Sequence, residues 1–332
     1  MIVSARSVFA RVIESVVYWI LRFLVGLLQS LSLRDVARVG RLFGGLAYWV
    51  DGRHRGRAIA NLSHVYGDEW GRKKIIALAK ENSRRLGESY CCAIKVASMS
   101  HEQLKPHVEL KGVERFQEII EGGAVKNHVV AIGHFGNFEL YARMGQFIGF
   151  SQLATTYRAL KNSAANRVMG ELRQCSGTRY FERRFEVGAL KEALRRGGMV
   201  LGLLSDHHAG GGGVVTEFLG RPCSSTAAPA VLALRYQADL RTAICYRTDL
   251  GQWAVEIGEA IPLRQAGEVR SVDDIIQDVQ HAMTDAVRRD PANWFWVHNR
   301  WRTSGRGFQQ WRTQVEKGRV SATESNQKSV VE

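Results

Sequence analysis

One histidine and one glutamate stand five residues apart in the segment GHFGNFEL, residues 133–140. An imidazole held at one ring nitrogen by a carboxylate can take a proton from a hydroxyl group through its other nitrogen, so such a pair forms a general base. His134 and Glu139 would lie roughly 140° apart on one regular helix, so a turn has to separate them if they are to meet. Gly133 and Gly136 can supply that turn.

The segment around this pair predicts a strand followed by a helix. HVVAI, residues 128–132, has the composition of a buried strand, and FELYARMGQFIG has that of a helix that Asn137 can cap. His134 would then lie on a loop at the carboxyl end of a strand, where active sites of parallel sheets gather. No serine or cysteine nucleophile stands beside the pair. The alternative is a helix-capping histidine next to a solvated glutamate, and the surrounding pattern favours the functional interpretation.

The remainder of the chain predicts a single α/β domain. Residues 34–100 have apolar residues at helical intervals, and beyond them short apolar runs alternate with helical segments. This alternation predicts a largely parallel central sheet flanked by helices. We expect that domain to cover residues 34–315, with a disordered tail over residues 316–332, which are rich in Ser, Gln, Glu and Lys.

The amino-terminal segment SVVYWILRFLVGLLQSLSL, residues 15–33, is about long enough to cross a bilayer, although it contains Arg22. On a helix, Arg11, Ser15, Arg22 and Gln29 form a narrow polar stripe on an otherwise apolar surface. This pattern favours a membrane anchor that comprises residues 1–33 and either spans the bilayer or lies along it. The alternative is a helix packed on the domain core. Arginines after the segment predict that this side faces the cytoplasm.

The net charge of +14 over 332 residues indicates an anionic partner, such as nucleic acid, an acidic protein or a phosphate-bearing membrane. No nucleic-acid-binding module is recognisable. The five cysteines have no metal-ligand spacing and are expected to be reduced thiols. Asp206, His207 and His208 are adjacent and would point to opposite faces of a strand, which disfavours a shared metal ion. We therefore expect neither a metal nor a cofactor.

GHFGNFEL resembles the His-x-x-x-x-Asp/Glu motif of the glycerolipid acyltransferase superfamily. More narrowly, it resembles the late acyltransferases of bacterial lipid A biosynthesis, the lauroyl/myristoyl transferase family. Four further stretches resemble segments of that family in the same order: RHRGRAIANLSHVYG (53–67), YRALKNSAANRVMGELRQCSG (157–177), LLSDHHAGGGGVVTEFLGRPCSSTAAPAVLALR (203–235) and NWFWVHNRWR (293–302). The resemblance covers most of residues 10–302.

This resemblance implies roles for particular residues. His134 would remove a proton from an acceptor hydroxyl, Glu139 would hold and polarise it, and the hydroxyl would attack an acyl thioester without an acyl-enzyme. Substrate-binding positions would be Arg158, Asn162, Asp206, Gly220, Arg221 and Ser225. The chain departs from the family pattern at His207, where glutamine is usual, and at Ser225, where threonine is usual.

The function implied is transfer of a fatty acyl chain from acyl carrier protein to a hydroxyl of a lipid A precursor or related glycolipid. It would take place at the cytoplasmic face of the inner membrane, in contact with inner-membrane lipids, with no cofactor and no nucleic acid. Three alternatives stay open at this point: an acyltransferase acting on another membrane lipid, a thioesterase-like hydrolase, and a non-catalytic basic membrane-binding or nucleic-acid-binding protein.

Overall fold

The computed structural model describes residues 5–115, 126–148 and 152–302. Its helices are α1 (Ala5–Ser30), α2 (Leu33–Val50), α3 (Gly52–Tyr66), α4 (Arg72–Val96), α5 (His101–Leu104), α6 (Gly145–Ile148), α7 (Ser163–Gln174), α8 (Val187–Arg196), α9 (Ala228–Arg235) and α10 (Val272–Arg289). Its strands are β1 (Val108–Lys111), β2 (His128–Ile132), β3 (Leu153–Tyr157), β4 (Arg179–Glu182), β5 (Val200–Leu204), β6 (Val214–Phe218), β7 (Arg221–Ser225), β8 (Asp239–Asp249), β9 (Gln252–Ile257), β10 (Arg264–Gln265) and β11 (Glu268–Val269).

Seven of these strands form the central sheet, in the order β1-β9-β8-β2-β5-β3-β4. Neighbouring strands run parallel except at the β8–β9 pair, which is antiparallel. All five residues of β2 are buried, because helices cover both faces of the sheet at its centre. The predicted α/β domain with a largely parallel sheet flanked by helices is therefore confirmed.

Glycines allow α2 and α4 to cross at very short range. A Cβ atom on Gly44 would lie 2.2 Å from the carbonyl oxygen of Ser83, and one on Gly87 would lie 2.2 Å from that of Gly40. The inner face of α2 is buried against α4, so the outer face of α2 is fixed in direction relative to the domain.

Helix α1 uses its polar stripe to contact the domain. Tyr18 donates a hydrogen bond of 2.9 Å to Glu171 on α7, and Arg22 forms an ion pair of 3.5 Å with the same carboxylate. Gln29 donates to the carbonyl of Ile94 on α4 at 3.1 Å. Among the described residues, Arg11–Ser30 is the one helical stretch long and apolar enough to cross a membrane.

Most predicted elements are present, with two differences near the histidine. The segment Phe138–Arg143 forms a 3-10 helix rather than an α-helix, and the Asn137 side chain makes no capping hydrogen bond. Ser271, in contrast, caps α10 by accepting a hydrogen bond from the backbone N–H of Asp274. The tail predicted over residues 316–332 lies outside the described residues.

Candidate active site

The register of the sheet brings His134 and Asp206 together. Strands β2 and β5 are parallel neighbours, and Ile132 at the end of β2 pairs with Leu204 at the end of β5. His134 and Asp206 each follow their strand end by two residues. The two side chains therefore emerge side by side at the carboxyl edge of the sheet, where sites of open α/β folds are found.

The Asp206 carboxylate is fully buried and holds both the backbone and the ring of His134. Its Oδ1 lies 2.9 Å from His134 Nδ1, and its Oδ2 accepts a 2.8 Å hydrogen bond from the His134 backbone N–H. The indole N–H of Trp294 donates to the same Oδ2 at 2.9 Å. Because Nδ1 is engaged in this way, Nε2 is the ring nitrogen left for proton transfer.

The charge on Asp206 is stable in this setting. Burial alone would raise the pKa of the Asp206 carboxyl, but attraction to His134 and His207 and the hydrogen bonds from His134 outweigh it. The pKa of Asp206 is consequently held well below its usual range. An ionised carboxylate at Nδ1 fixes the tautomer of His134 and would stabilise its imidazolium form.

Glu139 makes a different contact from the one we predicted. Its carboxylate pairs with the guanidinium of Arg173 on α7, at 2.6 Å to Nη2 and 3.3 Å to Nε. The expected bond between His134 and Glu139 does not form among the described residues, and Asp206 takes its place. The reason is the 3-10 helix that follows Asn137, in which the Glu139 side chain is directed toward α7. A role for Glu139 in a reaction stays a prediction.

Three imidazole rings are stacked at the site. His207 lies face to face between His134 and His298, with ring centroids 3.8 Å apart and planes 3° apart on both sides. Burial, together with positively charged neighbours, lowers the pKa of His207 to about 3 and that of His298 to about 4. At neutral pH, His207 therefore presents an uncharged ring to His134.

The stacked arrangement bears on metal binding. Ligand atoms of His134, Asp206 and His207 lie within 4.8 Å of one another. Parallel rings 3.8 Å apart direct their in-plane lone pairs alongside each other, however, and one ion cannot meet both along those directions. The sequence disfavours a metal shared by Asp206, His207 and His208, and that expectation stays a prediction.

Arg300 fixes the segment that carries His207. Its buried guanidinium donates to the carbonyl of His207 at 3.1 Å, to the carbonyl of Ser224 at 2.5 Å, to Ser225 Oγ at 2.6 Å and to Gln280 Oε1 at 2.8 Å. Arg300 is fully buried and is not among the described residues that line the cleft, so it positions the site from behind.

His134 opens on a cleft of about 620 Å³. Its polar wall carries Arg158, Arg173, Arg183 and His208, which together make a basic mouth. No serine or cysteine is found among the described residues that line it. A ligand bearing phosphate or carboxylate groups fits such a wall, because arginine forks pair well with both.

A narrower apolar cavity of about 100 Å³ adjoins the cleft and runs against the sheet. The residues that line both cavities include Phe138, Tyr157, Tyr180 and Leu204. Beyond them the narrow cavity is lined mainly by aliphatic side chains, with Val130, Ile132, Met144, Ile148 and Val200 among them. We call this cavity the apolar slot.

The remaining residues predicted to bind substrate do not all lie at the cleft. Arg158 lines the cleft. Asn162 caps α7 by accepting a hydrogen bond from the Ala165 backbone N–H at 2.8 Å. Gly220 forms the turn of the β6–β7 hairpin with a positive φ of 73°, and Arg221 pairs with Asp68 on the surface.

Ser225 is buried and bonded to Thr216 at 2.6 Å, besides its contact with Arg300. Among the described residues, Asn162, Gly220, Arg221 and Ser225 are not part of the cleft wall. Their roles in substrate binding stay predictions.

The model of one protein family matches residues 7–303, and its description is bacterial lipid A biosynthesis acyltransferase. The chain belongs to this family. The match covers nearly all of the described residues, including both strand ends that carry His134 and Asp206. No curated protein matches the chain significantly. The family membership makes this chain an acyltransferase of lipid A biosynthesis.

Sequence reasoning missed the partner of His134. Asp206 was identified only as a substrate-binding position, and Trp294 and His298 were not connected with the base. One signal was available in the sequence. His134 and Asp206 each follow a buried strand segment by two residues, and both side chains can carry charge. Pairing those segments as neighbours in a parallel sheet would have placed His134 against Asp206.

Proposed function

We propose that this acyltransferase moves a fatty acyl chain from acyl carrier protein to a hydroxyl of a lipid A precursor, at the cytoplasmic face of the inner membrane. The observation that carries the proposal is the His134–Asp206 pair, whose histidine lines a basic cleft that an apolar slot adjoins at Phe138 and Leu204. A glycolipid phosphate and a fatty acyl thioester need these two surfaces side by side.

His134 is the general base in this reaction. Its Nε2 takes the proton from the acceptor hydroxyl as the oxygen attacks the carbonyl carbon of the thioester. The tetrahedral intermediate then collapses, the carbon–sulfur bond breaks, and the imidazolium returns the proton to the leaving thiolate. Asp206 keeps Nδ1 protonated throughout and stabilises the transient positive charge.

Direct transfer fits the cleft better than a covalent acyl-enzyme. The described residues that line the cleft include no serine or cysteine that could take the acyl group. The acceptor oxygen therefore acts as the nucleophile, which requires acceptor and donor to be bound together.

The charges of the cleft support the choice of substrates. Arg158 and Arg183 at its mouth suit a phosphorylated glycolipid, and the net charge of +14 suits an acidic carrier protein. The apolar slot lies where the acyl chain would extend once its thioester reaches His134. Arg173 lines both cavities and pairs with Glu139, which lines the slot, so we place the two beside the thioester as positioning residues.

Mass spectrometry of lipid A tests the proposal. Cells lacking the protein should accumulate a lipid A species that is lighter by one acyl group, and the wild-type gene should restore the missing chain. His134→Ala should fold normally yet fail to restore it, because the base is gone. Restoration by His134→Ala would contradict the assignment of the base. An unchanged lipid A profile in the deletion would point to another acceptor lipid.

Purified protein separates transfer from hydrolysis. With an acyl carrier protein thioester and the accumulated precursor, we expect acyl transfer to exceed thioester hydrolysis by a wide margin. Hydrolysis at equal rates with and without the precursor would instead identify a thioesterase.

A further inference from the structure

Helix α1 is held along the surface of the domain over more than half of its candidate membrane span. Contacts to α7 and α4 begin at Tyr18 and continue to Gln29, within a candidate span of Arg11–Ser30. Those twelve residues cover roughly 17 Å of helix axis at 1.5 Å per residue, whereas a full crossing takes about 20 residues. The Lys95 ammonium adds a 2.6 Å bond to the carbonyl of Gln29.

The partners of these contacts are charged. Glu171 binds both Tyr18 and Arg22, and the Arg167 guanidinium lies 4.1 Å from the centroid of the Tyr18 ring. If α1 crossed the bilayer with these contacts intact, Glu171, Arg167 and Lys95 would be carried to hydrocarbon depth. Charged side chains are costly to place at that depth. The contacts therefore favour a helix that lies parallel to the membrane surface.

The opposite face of α1 is apolar and exposed along its length. The exposed side chains recur at helical spacing on one face, and they are Val12, Ile13, Val16, Trp19, Ile20, Phe23, Leu24 and Leu27. Trp19 and Phe23 are 68% and 72% exposed. One helix face thus contacts the domain and the other offers a continuous apolar stripe to a non-aqueous partner.

Helix α2 offers a second stripe of the same kind. Leu42, Phe43, Leu46, Trp49 and Val50 are exposed on its outer face, at positions i, i+1, i+4, i+7 and i+8. Exposed arginines stand on either side of this stripe, with Arg34 and Arg38 before it and Arg53 and Arg57 after it. Apolar and aromatic side chains bordered by arginine match the interface of a bilayer that contains anionic phospholipid.

We propose that α1 does not span the membrane but lies in its interface, and that the outer stripe of α2 enters the same leaflet beside it. The occupant of both stripes is the lipid surface. This inference rests on the membrane location contained in the proposed function, and it goes further by giving the orientation. Because α7 forms part of the cleft wall and holds α1, this orientation also places the cleft close to the leaflet that supplies the acceptor.

Depth measurements with spin labels test the orientation. Single cysteines at Val16, Phe23 and Leu27 of α1, at Leu46 of α2 and at Glu192 as an exposed control carry the labels, in the full chain with Cys91 and Cys175 replaced by alanine. The protein is bound to vesicles of phosphatidylethanolamine and phosphatidylglycerol. The relative collision rates with oxygen and with a water-soluble nickel chelate give each depth. All labelled side chains are exposed, so the labels leave packing intact.

We expect the labels at Val16, Phe23, Leu27 and Leu46 to share a depth of about 5–10 Å below the headgroups, and the label at Glu192 to be in water. A spanning helix would separate the labels at Val16 and Leu27 by about 16 Å along the membrane normal, which would overturn the proposal. A label at Leu46 that is shielded from both collision reagents would indicate a protein partner and overturn the assignment of α2.

The outcomes also separate this inference from the proposed function. All five labels in water would remove the membrane location altogether. A spanning profile would leave that location intact and remove only the orientation. Acyl transfer measured on the same labelled preparations reports on the chemistry independently of either result.

Discussion

Two carboxylates border the proposed reaction centre, and their surroundings differ. Asp206 is fully buried at a strand end and accepts three hydrogen bonds, two of them from His134. Glu139 lies on a 3-10 helix, its side chain is 21% exposed, and it pairs with an arginine that lines both cavities. The Asp206 carboxylate holds the His134 ring in one orientation, whereas the Glu139–Arg173 pair can shift with a ligand that occupies the cavities.

The two carboxylates are expected to have different roles. In the proposed mechanism, the strand-end region around Asp206 sets the protonation and direction of the base, which every turnover needs. The wall formed by Glu139 and Arg173 lies where thioester and acyl chain would meet the protein, so it should influence which donor is accepted. Substitutions in the first region should lower kcat for all substrates, and those in the second should discriminate among them.

The largest effect is expected from Asp206→Asn. The asparagine oxygen would accept the two N–H groups now bound to Oδ2, so its NH2 would face His134 Nδ1. Nδ1 would then become an acceptor and the proton would move to Nε2, where the base must be unprotonated. An equivalent change in the serine protease triad lowers kcat about 10⁴-fold, and we expect a loss of about 10³-fold or more. Steady-state acyl transfer at saturating donor measures it.

Folding of the Asp206→Asn protein has to be checked separately, because the side chain is buried. Its circular dichroism and its retention of acyl carrier protein binding should match those of the wild type. A fully folded variant with a kcat within tenfold of the wild type would show that Asp206 does not orient the base.

Glu139→Gln should have a smaller effect. The amide keeps the size of the side chain but removes the charge that pairs with Arg173, so the arginine should lose its fixed position at the junction of the cavities. We expect kcat/KM to fall about ten- to a hundredfold. Arg173→Gln should cost a similar amount, and the double variant little more, because the pair acts as a unit. A loss equal to that of Asp206→Asn would return Glu139 to the role of partner of the base.

The contrast between the carboxylates also shows which features of the site could be predicted from the sequence. The periodicity of HVVAI and the glycines around His134 predict a strand, a turn and the base on a loop, since these depend on neighbours in sequence. The pairing of β2 with β5 joins residues about 70 positions apart, and nothing local specifies it. Local spacing suggested Glu139 for the same reason, because it could not show that α7 would supply Arg173.

A single added methyl group in the slot tests whether the slot determines which acyl donors are accepted. Gly202 lies on β5 in the wall of the slot, and a Cβ there would come within 3.3 Å of the flexible Ile132 Cδ1. Gly202→Ala should therefore fold but shorten the usable space. We expect the kcat/KM ratio of long to short acyl donors to fall about tenfold or more, as for one methylene in an apolar pocket.

The control for that change is Gly188→Ala on α8, where a Cβ meets nothing within 4 Å. It should leave the donor profile unchanged. If Gly202→Ala slowed all donors equally, the slot would not be where the acyl chain extends.

The smallest effect concerns pH and the stacked histidines on the Asp206 side. His207 and His298 have pKa values lowered to about 3 and 4 by burial, against about 6.5 in an unfolded chain. Between about pH 4 and 6.5 the unfolded chain therefore binds more protons, so the free energy of unfolding should rise with pH across that window. Asp206, whose pKa is lowered from an ordinary value of 3.8, contributes below this window.

His207→Gln, which restores the residue usual in the family, should remove one of these proton differences. The slope of unfolding free energy against pH should then decrease by about 1.2 kcal/mol per pH unit between pH 5 and 6. Denaturant titrations of both proteins at these two pH values, in one detergent, measure it. Equal slopes would mean that His207 is charged in the folded state, and a charged ring stacked on His134 would oppose its protonation. The strand-end region can help His134 accept a proton only if the neighbouring ring of His207 is neutral. The change in slope therefore tests whether the surroundings of Asp206 favour a base at His134, which is the basis of the contrast with Glu139.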